Sequence, residues 1–434
     1  MSVLDDQLPA GVEDALEVVR ALDVGLVGGL SRLGGAERER VEGLGSLFAG
    51  TPLAPALERA APGFAKGTPG EDDIAAFAAA RASLLGAVHD ALLTQACAAL
   101  GRDVPPDPAP GPPVALSPED EAPLRNARHW LLELGSAGLS QISPAAVAPF
   151  ASTLETLAER PALQRPAAML SGFFDELAES LPLSSRDDAP IPRWPDLWMQ
   201  SVIAAGPTLS VEEAPFEGEL RPLGVELRHH DHAMSAVVHG VMDGEIVRAS
   251  FTGWKVDALL GDEALRVLPA PALDAMTSDS VLAVGGVRRG ADLIVSEAKP
   301  TGKHDPYVSI DALPFPVAAP ADRHPIHLAI PVVLPECALR EEGGARFVDP
   351  LGVRLAEERV SPLYAAKKGG ALESPDAMIG LLRWDAGWSF QPLDAKLGKL
   401  RWNLDEAVAA ARKAAKATDT LSVLTERASK LLRS

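Results

Sequence analysis

Four consecutive residues, His229-His230-Asp231-His232, with His239 seven positions further on, gather the side-chain types that bind transition metals. Imidazole and carboxylate suit zinc or iron, so a divalent-metal centre is the first chemistry to weigh. On a continuous strand alternate residues share a face. His230 and His232 then chelate together, while His229 and Asp231 point away. His239 has the opposite parity to His232 and lies about 23 Å further along at ~3.3 Å per residue, so one ion cannot use both. A third ligand must come from elsewhere, and His324 with His327 is the comparable histidine pair. The plainer reading is a polar turn between Leu227 and Met234. That reading is preferred here, and His230 with His232 stands as the metal-ligating alternative.

A second set is Glu297-Ala298-Lys299 at the end of the apolar run Leu293-Ile294-Val295. Glu297 and Lys299 fall on one face of a strand, where a carboxylate holds a divalent metal and an ammonium polarises the attacking water. Asp279, just ahead of the preceding strand, is expected near Lys299 across the hairpin and supplies the first acid. Over about twenty residues this resembles the core of the PD-(D/E)xK nucleases, which implies a metal-dependent nuclease with Asp279, Glu297 and Lys299 as its catalytic residues. The sequence departs from that pattern after Lys299, where Pro300-Thr301-Gly302 opens a loop in place of a helix.

Other signatures are missing from the sequence: no Gly-x-x-x-x-Gly-Lys-Ser/Thr phosphate loop, no Gly-x-Ser-x-Gly elbow and no His-Glu-x-x-His helix. Val284-Gly285-Gly286-Val287 sits within a strand pattern, so it is no dinucleotide loop. The two cysteines, Cys97 and Cys337, are too few for a disulfide framework or a four-cysteine zinc site. Cys97 lies on a helical apolar stripe and reads as a core thiol.

The elements that must position these residues fall into two textures. Residues 1–102 read as a helical bundle, with Val12, Leu16, Val19, Leu22, Leu26, Leu30 and Leu33 at helical spacing. A second clear helix opens on Glu71-Asp72-Asp73 and stops at Gly101. Residues 103–116 are a proline-rich spacer. Helices restart over 117–205, at Ser117-Pro118 and again at Ser143-Pro144, two similar openings that hint at a helical-hairpin repeat. From 206 to 395 the pattern is that of a mainly antiparallel β domain, a sandwich or barrel. Asp243-Gly244 marks one hairpin, 288–291 a second, and Glu341–Gly344 and Asp385–Gly387 two further turns. Alternation predicts a strand over 326–334, with Pro331 placing it at an edge or bulge. Residues 396–434 carry a basic C-terminal helix, expected over about 403–432 with Asn403 as cap. The fold class is therefore α+β: helical bundles, then a β domain, then a terminal helix. Trp194 and Trp198, where the textures meet, and Trp384, Trp388 and Trp402 near the end of the β region are expected to seal junctions within the chain.

Charge limits the partners. The 434 residues include 60 acids and 40 bases, a net charge of −20 that opposes a polyphosphate backbone and makes nucleic acid an unsuitable partner. The imbalance is uneven, with −8 over 1–116, −17 over 117–395 and +5 over 396–434. No run approaches the ~20 consecutive apolar residues of a bilayer span, and the acidic start lacks the basic and apolar segments of a secretory leader. These features predict a cytoplasmic protein with no membrane partner, and the Ala, Pro, Leu and Gly bias suggests a bacterial source. The expected role is a non-enzymatic protein-binding or adaptor component of a multiprotein system, without cofactor, contacting other proteins in part through the basic terminal helix. The competing class is a divalent-metal hydrolase, and a ligand-binding β domain comes third.

Overall fold

In the computed structural model, residues 4, 7–107, 116–206, 213–229, 233–254, 261–277, 279–289, 292–315, 317–366 and 371–415 are described. The first half is helical: α1 (Val12–Gly28), α2 (Gly35–Leu47), α3 (Ala54–Ala65), α4 (Glu71–Leu100), α5 (Pro118–Ala137), α6 (Pro144–Val147), α7 (Ala151–Ala158), α8 (Gln164–Ser180) and α9 (Arg193–Ala204). Their boundaries follow local chemistry. Asp73 Oδ2 accepts the Gly70 N–H at 2.9 Å where α4 begins, and Gly101 ends it at φ 66°. Ser117 Oγ accepts the Asp120 N–H at 3.1 Å where α5 begins. One apolar core, running from Val19 to Ala205, joins both helical segments.

The second half holds two sheets. The first is built from β1 (Glu213–His229), β2 (Ala233–Met242), β3 (Glu245–Trp254), α10 (Ala270–Ala275), β4 (Ser280–Arg289) and β5 (Asp292–Lys303). These strands close into a barrel in the order β1-β2-β3-β5-β4, antiparallel except for the parallel step from β3 to β5. The 261–275 segment between β3 and β4 packs Ala264, Leu265, Leu268, Ala272 and Ala275 into the core. That order, the parallel closure and the helix between the third and fourth strands make the arrangement an OB-type Greek-key barrel. The Asp243-Gly244 turn sits at φ 52° and 80°, the left-handed pair that a two-residue hairpin requires.

The second sheet comprises β6 (Ile330–Leu334), β7 (Ala338–Glu342), β8 (Ala345–Asp349), β9 (Val353–Leu355), β10 (Ala365–Ala366), β11 (Ala377–Trp384), β12 (Trp388–Leu397) and β13 (Leu400–Asn403). It runs β10-β13-β12-β9-β8-β7, with β11 pairing both β12 and β6. The chain ends its described part with α11 (Asp405–Ala415). Barrel and sheet share one core, into which α4 sends Val88, Leu92, Leu93, Ala96 and Cys97. Cys97 is buried there, as a core thiol. By length and composition α4 is the one described helix apolar enough to cross a bilayer. Here it is shared between two interiors, with Phe77 and Leu92 both at 0% exposure.

Several details differ from the sequence reading. The strand expected over 326–334 begins at Ile330, because Pro325 opens a 3-10 turn through His327 that leaves Ile326 exposed. Pro331 does lie on an edge, since among the described residues β6 pairs only with β11. Trp194 and Trp198 lie in the helical core instead of at the junction. Trp388 is the ring that spans it, donating from Nε1 to Gln95 Oε1 of α4 at 3.2 Å. Residues 108–115 of the spacer and 416–434 of the terminal helix lie outside the described residues. The described start of that helix packs on its own chain: Leu404, Val408 and Ala411 join the core. Arg412 Nη2 donates to the Leu273 carbonyl at 2.6 Å and sits 3.1 Å from Asp274.

Candidate functional site

The β4–β5 ladder places the nuclease-like set. Lys299 stands opposite Ala283 and Glu297 opposite Gly285, both exposed on one face as their spacing requires. Asp279 is not beside them. Two bulges, at Val281/Leu282 and Gly285/Gly286, each admit an extra residue into β5. The ladder closes at Arg289 and Asp292, which already sets Asp279 beyond Lys299, and the bulges carry it two positions further, to Lys303, whose Nζ donates to Asp279 Oδ2 at 2.6 Å. Four residues of strand, about 13 Å, separate Lys303 from Lys299. The three groups therefore do not converge on one ion.

The histidines are also dispersed. His229 ends β1 with Nε2 3.0 Å from Ser361 Oγ, while His230, Asp231 and His232 lie outside the described residues. His324 uses both ring nitrogens: Nδ1 accepts the Ile326 N–H, and Nε2 lies 3.2 Å from Asp196 Oδ1. Its ring stands 5.4 Å from that of His327. Among the described residues no group of three His, Cys, Asp or Glu side chains is arranged to hold a metal.

Two buried charge clusters escaped the sequence reading. In the helical half Arg81, at 0% exposure, donates to both oxygens of Asp23, also at 0%, at 2.5 and 3.1 Å. Its Nη2 also lies 2.7 Å from Asp196 on α9, and Nη1 contacts Met199 Sδ at 3.3 Å. Burial works against the guanidinium charge, but Asp23 and Asp196 outweigh it and hold the Arg81 pKa above its ordinary value. Through Asp196 this cluster meets His324 on the connection that precedes β6. Two further ion pairs, Arg165 with Asp322 and Arg323 with Asp90, tie that connection to α8 and α4.

In the β half Glu226 on β1 sits 2.6 Å from Arg383 Nη2 on β11 and 3.0 Å from Arg228 Nη2. Burial raises the carboxyl, yet His239, Arg383 and Arg228 beside it prevail and hold Glu226 well below the usual range. His239 on β2 lies with Nε2 4.0 Å from Glu226 Oε2, beyond hydrogen-bond reach. Neither of its ring nitrogens has a hydrogen-bond partner among the described residues, and burial pushes its pKa down. The only sequence signal for either cluster was a charge inside an apolar stretch: Arg81 amid alanines, and Glu226 between Val225 and Leu227. The centre of each cluster is closed to solvent, Arg81 with Asp23 in one and Glu226 with His239 and Arg383 in the other, while Arg228 at the rim is half-exposed.

The exposed face of the barrel offers a different surface. Trp254 closes β3 opposite Ala233 of β2 and is 81% exposed. Beside it the Ser235 and Thr252 hydroxyls bond across the ladder at 2.9 Å, and Ser250 is exposed on the same side of β3. The cations nearby are paired: Arg248 with Asp292 at 2.9 Å and Arg288 with Glu245 at 3.2 Å. Among the described residues the face thus presents one large ring over small polar residues, with these two cations paired. Comparison with protein-family models, with curated proteins and with solved structures finds no match for the chain.

Proposed function

We propose that this chain is a non-enzymatic protein-binding component, an adaptor in a cytoplasmic bacterial multiprotein system, and that it meets its partner with the β2–β3 face of the barrel. One observation carries the reading: Trp254 is 81% exposed, while Trp194 and Trp198 are at 0% and Trp130, Trp384 and Trp402 are buried. A tryptophan kept on a strand face exposes a large apolar ring together with a donor, the combination that anchors protein interfaces. OB-type barrels take ligands on this same pair of strands and on the loops beside it, which supports the location by analogy of fold alone. The paired state of Arg248 and Arg288 argues for a protein over a phosphate backbone.

The test is affinity capture from the native organism with three forms of the full chain. A partner held by the wild type and by Glu297→Ala, and lost from Trp254→Ala, is the expected result. Retention by Trp254→Ala would reject this face as the contact surface. Loss from Glu297→Ala alone would move the site to β5.

A further inference from the structure

The helical half contains the same crossing twice. α1 ends at Gly29 and α5 at Gly138, two glycines with φ 112° and 97° and ψ 118° and 133°. Each caps its helix by donating to the carbonyl four residues back, Gly25 and Leu134. Each is followed by Leu-Ser and a short 3-10 turn, Leu30–Arg32 or Leu139–Gln141. The two crossings then pack against each other. A Cβ on Gly29 would lie 2.8 Å from the Ala137 carbonyl oxygen, and a Cβ on Gly138 would lie 2.7 Å from Gly28 C and Gly29 N. Each turn also donates to the last turn of the other helix, from neighbouring rather than matched positions. Arg32 Nη2 donates to the Ala137 carbonyl at 2.8 Å, and Ser140 Oγ donates to the Val27 carbonyl at 2.9 Å. α1 packs on the turn after α5, and α5 on the turn after α1.

Two segments that each touch the other's equivalent residues are related by a local two-fold axis. The correspondence extends well past the crossing. At a constant offset of 109 positions, buried Leu22, Leu30, Leu33, Val41, Phe48 and Phe64 match Leu131, Leu139, Ile142, Phe150, Leu157 and Phe173. Every one of these is buried too, from Leu22 to Phe64 with no gap. The packing order is kept, α3 on α4 as α8 on α9, although α9 begins at Arg193, later than the offset would place it.

We infer that α1–α4 and α5–α9 are two copies of one helical unit, packed on each other as the subunits of a homodimer pack, with the apolar core of the β half docked on the first copy alone. The places where the copies differ explain the single docking. Val12 and Leu16 of α1 pack into the β core, whereas their matches Glu121 and Arg125 are exposed and charged. The last helix is 30 residues in the first copy, where its far end enters the β core, and 12 in the second.

The experiment is thermal unfolding of the full chain, followed by its helical circular dichroism. Gly29→Ala and Gly138→Ala each strain a left-handed position and fill one shared contact, so each should lower Tm by about 5–10 °C. The two losses should agree within twofold, and the double variant should lose less than their sum, because either methyl alone forces the crossing apart. Losses that differ by more than twofold, or that add, overturn the inference. If a glycine variant does not fold, exchange variants decide. Arg32→Gln with Leu33→Ile, and Gln141→Arg with Ile142→Leu, give each crossing the other's residues. A Tm within about 5 °C of wild type for both supports equivalence, and a larger loss in either overturns it.

Discussion

Arg81 and Glu226 are both charges buried in an apolar interior, one in the helical half and one in the β half, and their surroundings treat them differently. Around Arg81 the partners converge: two oxygens of Asp23, one of Asp196 and a thioether sulfur occupy its nitrogens. Around Glu226 the charge is balanced by Arg383 and Arg228, but His239 is enclosed with both ring nitrogens lacking hydrogen bonds among the described residues. A bidentate guanidinium–carboxylate pair fixes direction as well as charge, so the helical cluster ties α1, α4 and α9 in one arrangement. The β cluster joins the barrel to the second sheet by attraction alone at one of its members, and that member can still gain a proton.

The largest effect should follow from breaking the helical pair. Arg81→Met leaves Asp23 buried without its counter-charge, a loss of about 3–5 kcal/mol in urea unfolding. Asp23→Leu with Arg81→Met should recover most of it, because removing both charges also removes their desolvation. If the double variant is as unstable as the single, the pair acts through shape and not through charge.

Arg383→Met should cost less, about 2–3 kcal/mol, because Arg228 remains beside Glu226 and is half-exposed to solvent. It should also change the response to acid. Glu226 titrates lower in the folded chain than in the unfolded one, so its contribution is complete above about pH 4.5 and is lost as the pH falls further. Unfolding midpoints between pH 5 and pH 3 should fall less steeply in Arg383→Met than in wild type. An unchanged slope would detach Arg383 from that carboxylate.

Which of these features the sequence could disclose depended on how local their causes are. The Asp243-Gly244 hairpin, the Gly101 stop and the Ser117 cap each rest on the conformation of a few adjacent residues, and each was legible. The place of Asp279 depended on a hairpin that closes at Arg289 and Asp292 and on two bulges in β5, which no pattern of apolar alternation reveals. Arg81 and Asp23 are 58 positions apart, and Glu226 and Arg383 157, so their pairing exists only once helices and sheets have packed. The internal repeat stayed hidden for another reason. The Ser-Pro openings that suggested a repeat, at 117 and 143, both lie in the second copy, whereas the true match is Gly-Leu-Ser at 29–31 and 138–140. From Leu22 to Phe64 the two segments share burial at matched positions far more than they share residue types.

His239→Leu isolates the open member of the β cluster. A neutral, unpaired imidazole adds little at pH 7.5, so stability there should change by less than about 1 kcal/mol. The difference should grow with acid. The folded chain binds the His239 proton less readily than the unfolded chain, so wild type loses stability as the pH drops below about 6.5. His89 is lowered in the same direction and contributes to both forms, so the variant minus wild-type difference, not the wild-type slope, is the quantity to read. A difference that stays flat from pH 7.5 to 5 would mean that His239 titrates alike in the folded and unfolded chains, and one of opposite sign that it is already charged beside Glu226.

Trp254→Ala should have the smallest effect on stability, under about 0.5 kcal/mol, since an exposed ring with no core contacts leaves little behind when truncated. That sets it against the other two regions. At Arg81 and Glu226 the side chain is needed to complete an interior, and loss of partner binding after substitution there would follow from unfolding. At Trp254 any loss of binding without a change in the unfolding curve must come from the surface itself. A destabilisation above about 1 kcal/mol would show that the ring serves the barrel's own packing, and the β2–β3 face would then have no anchor to offer.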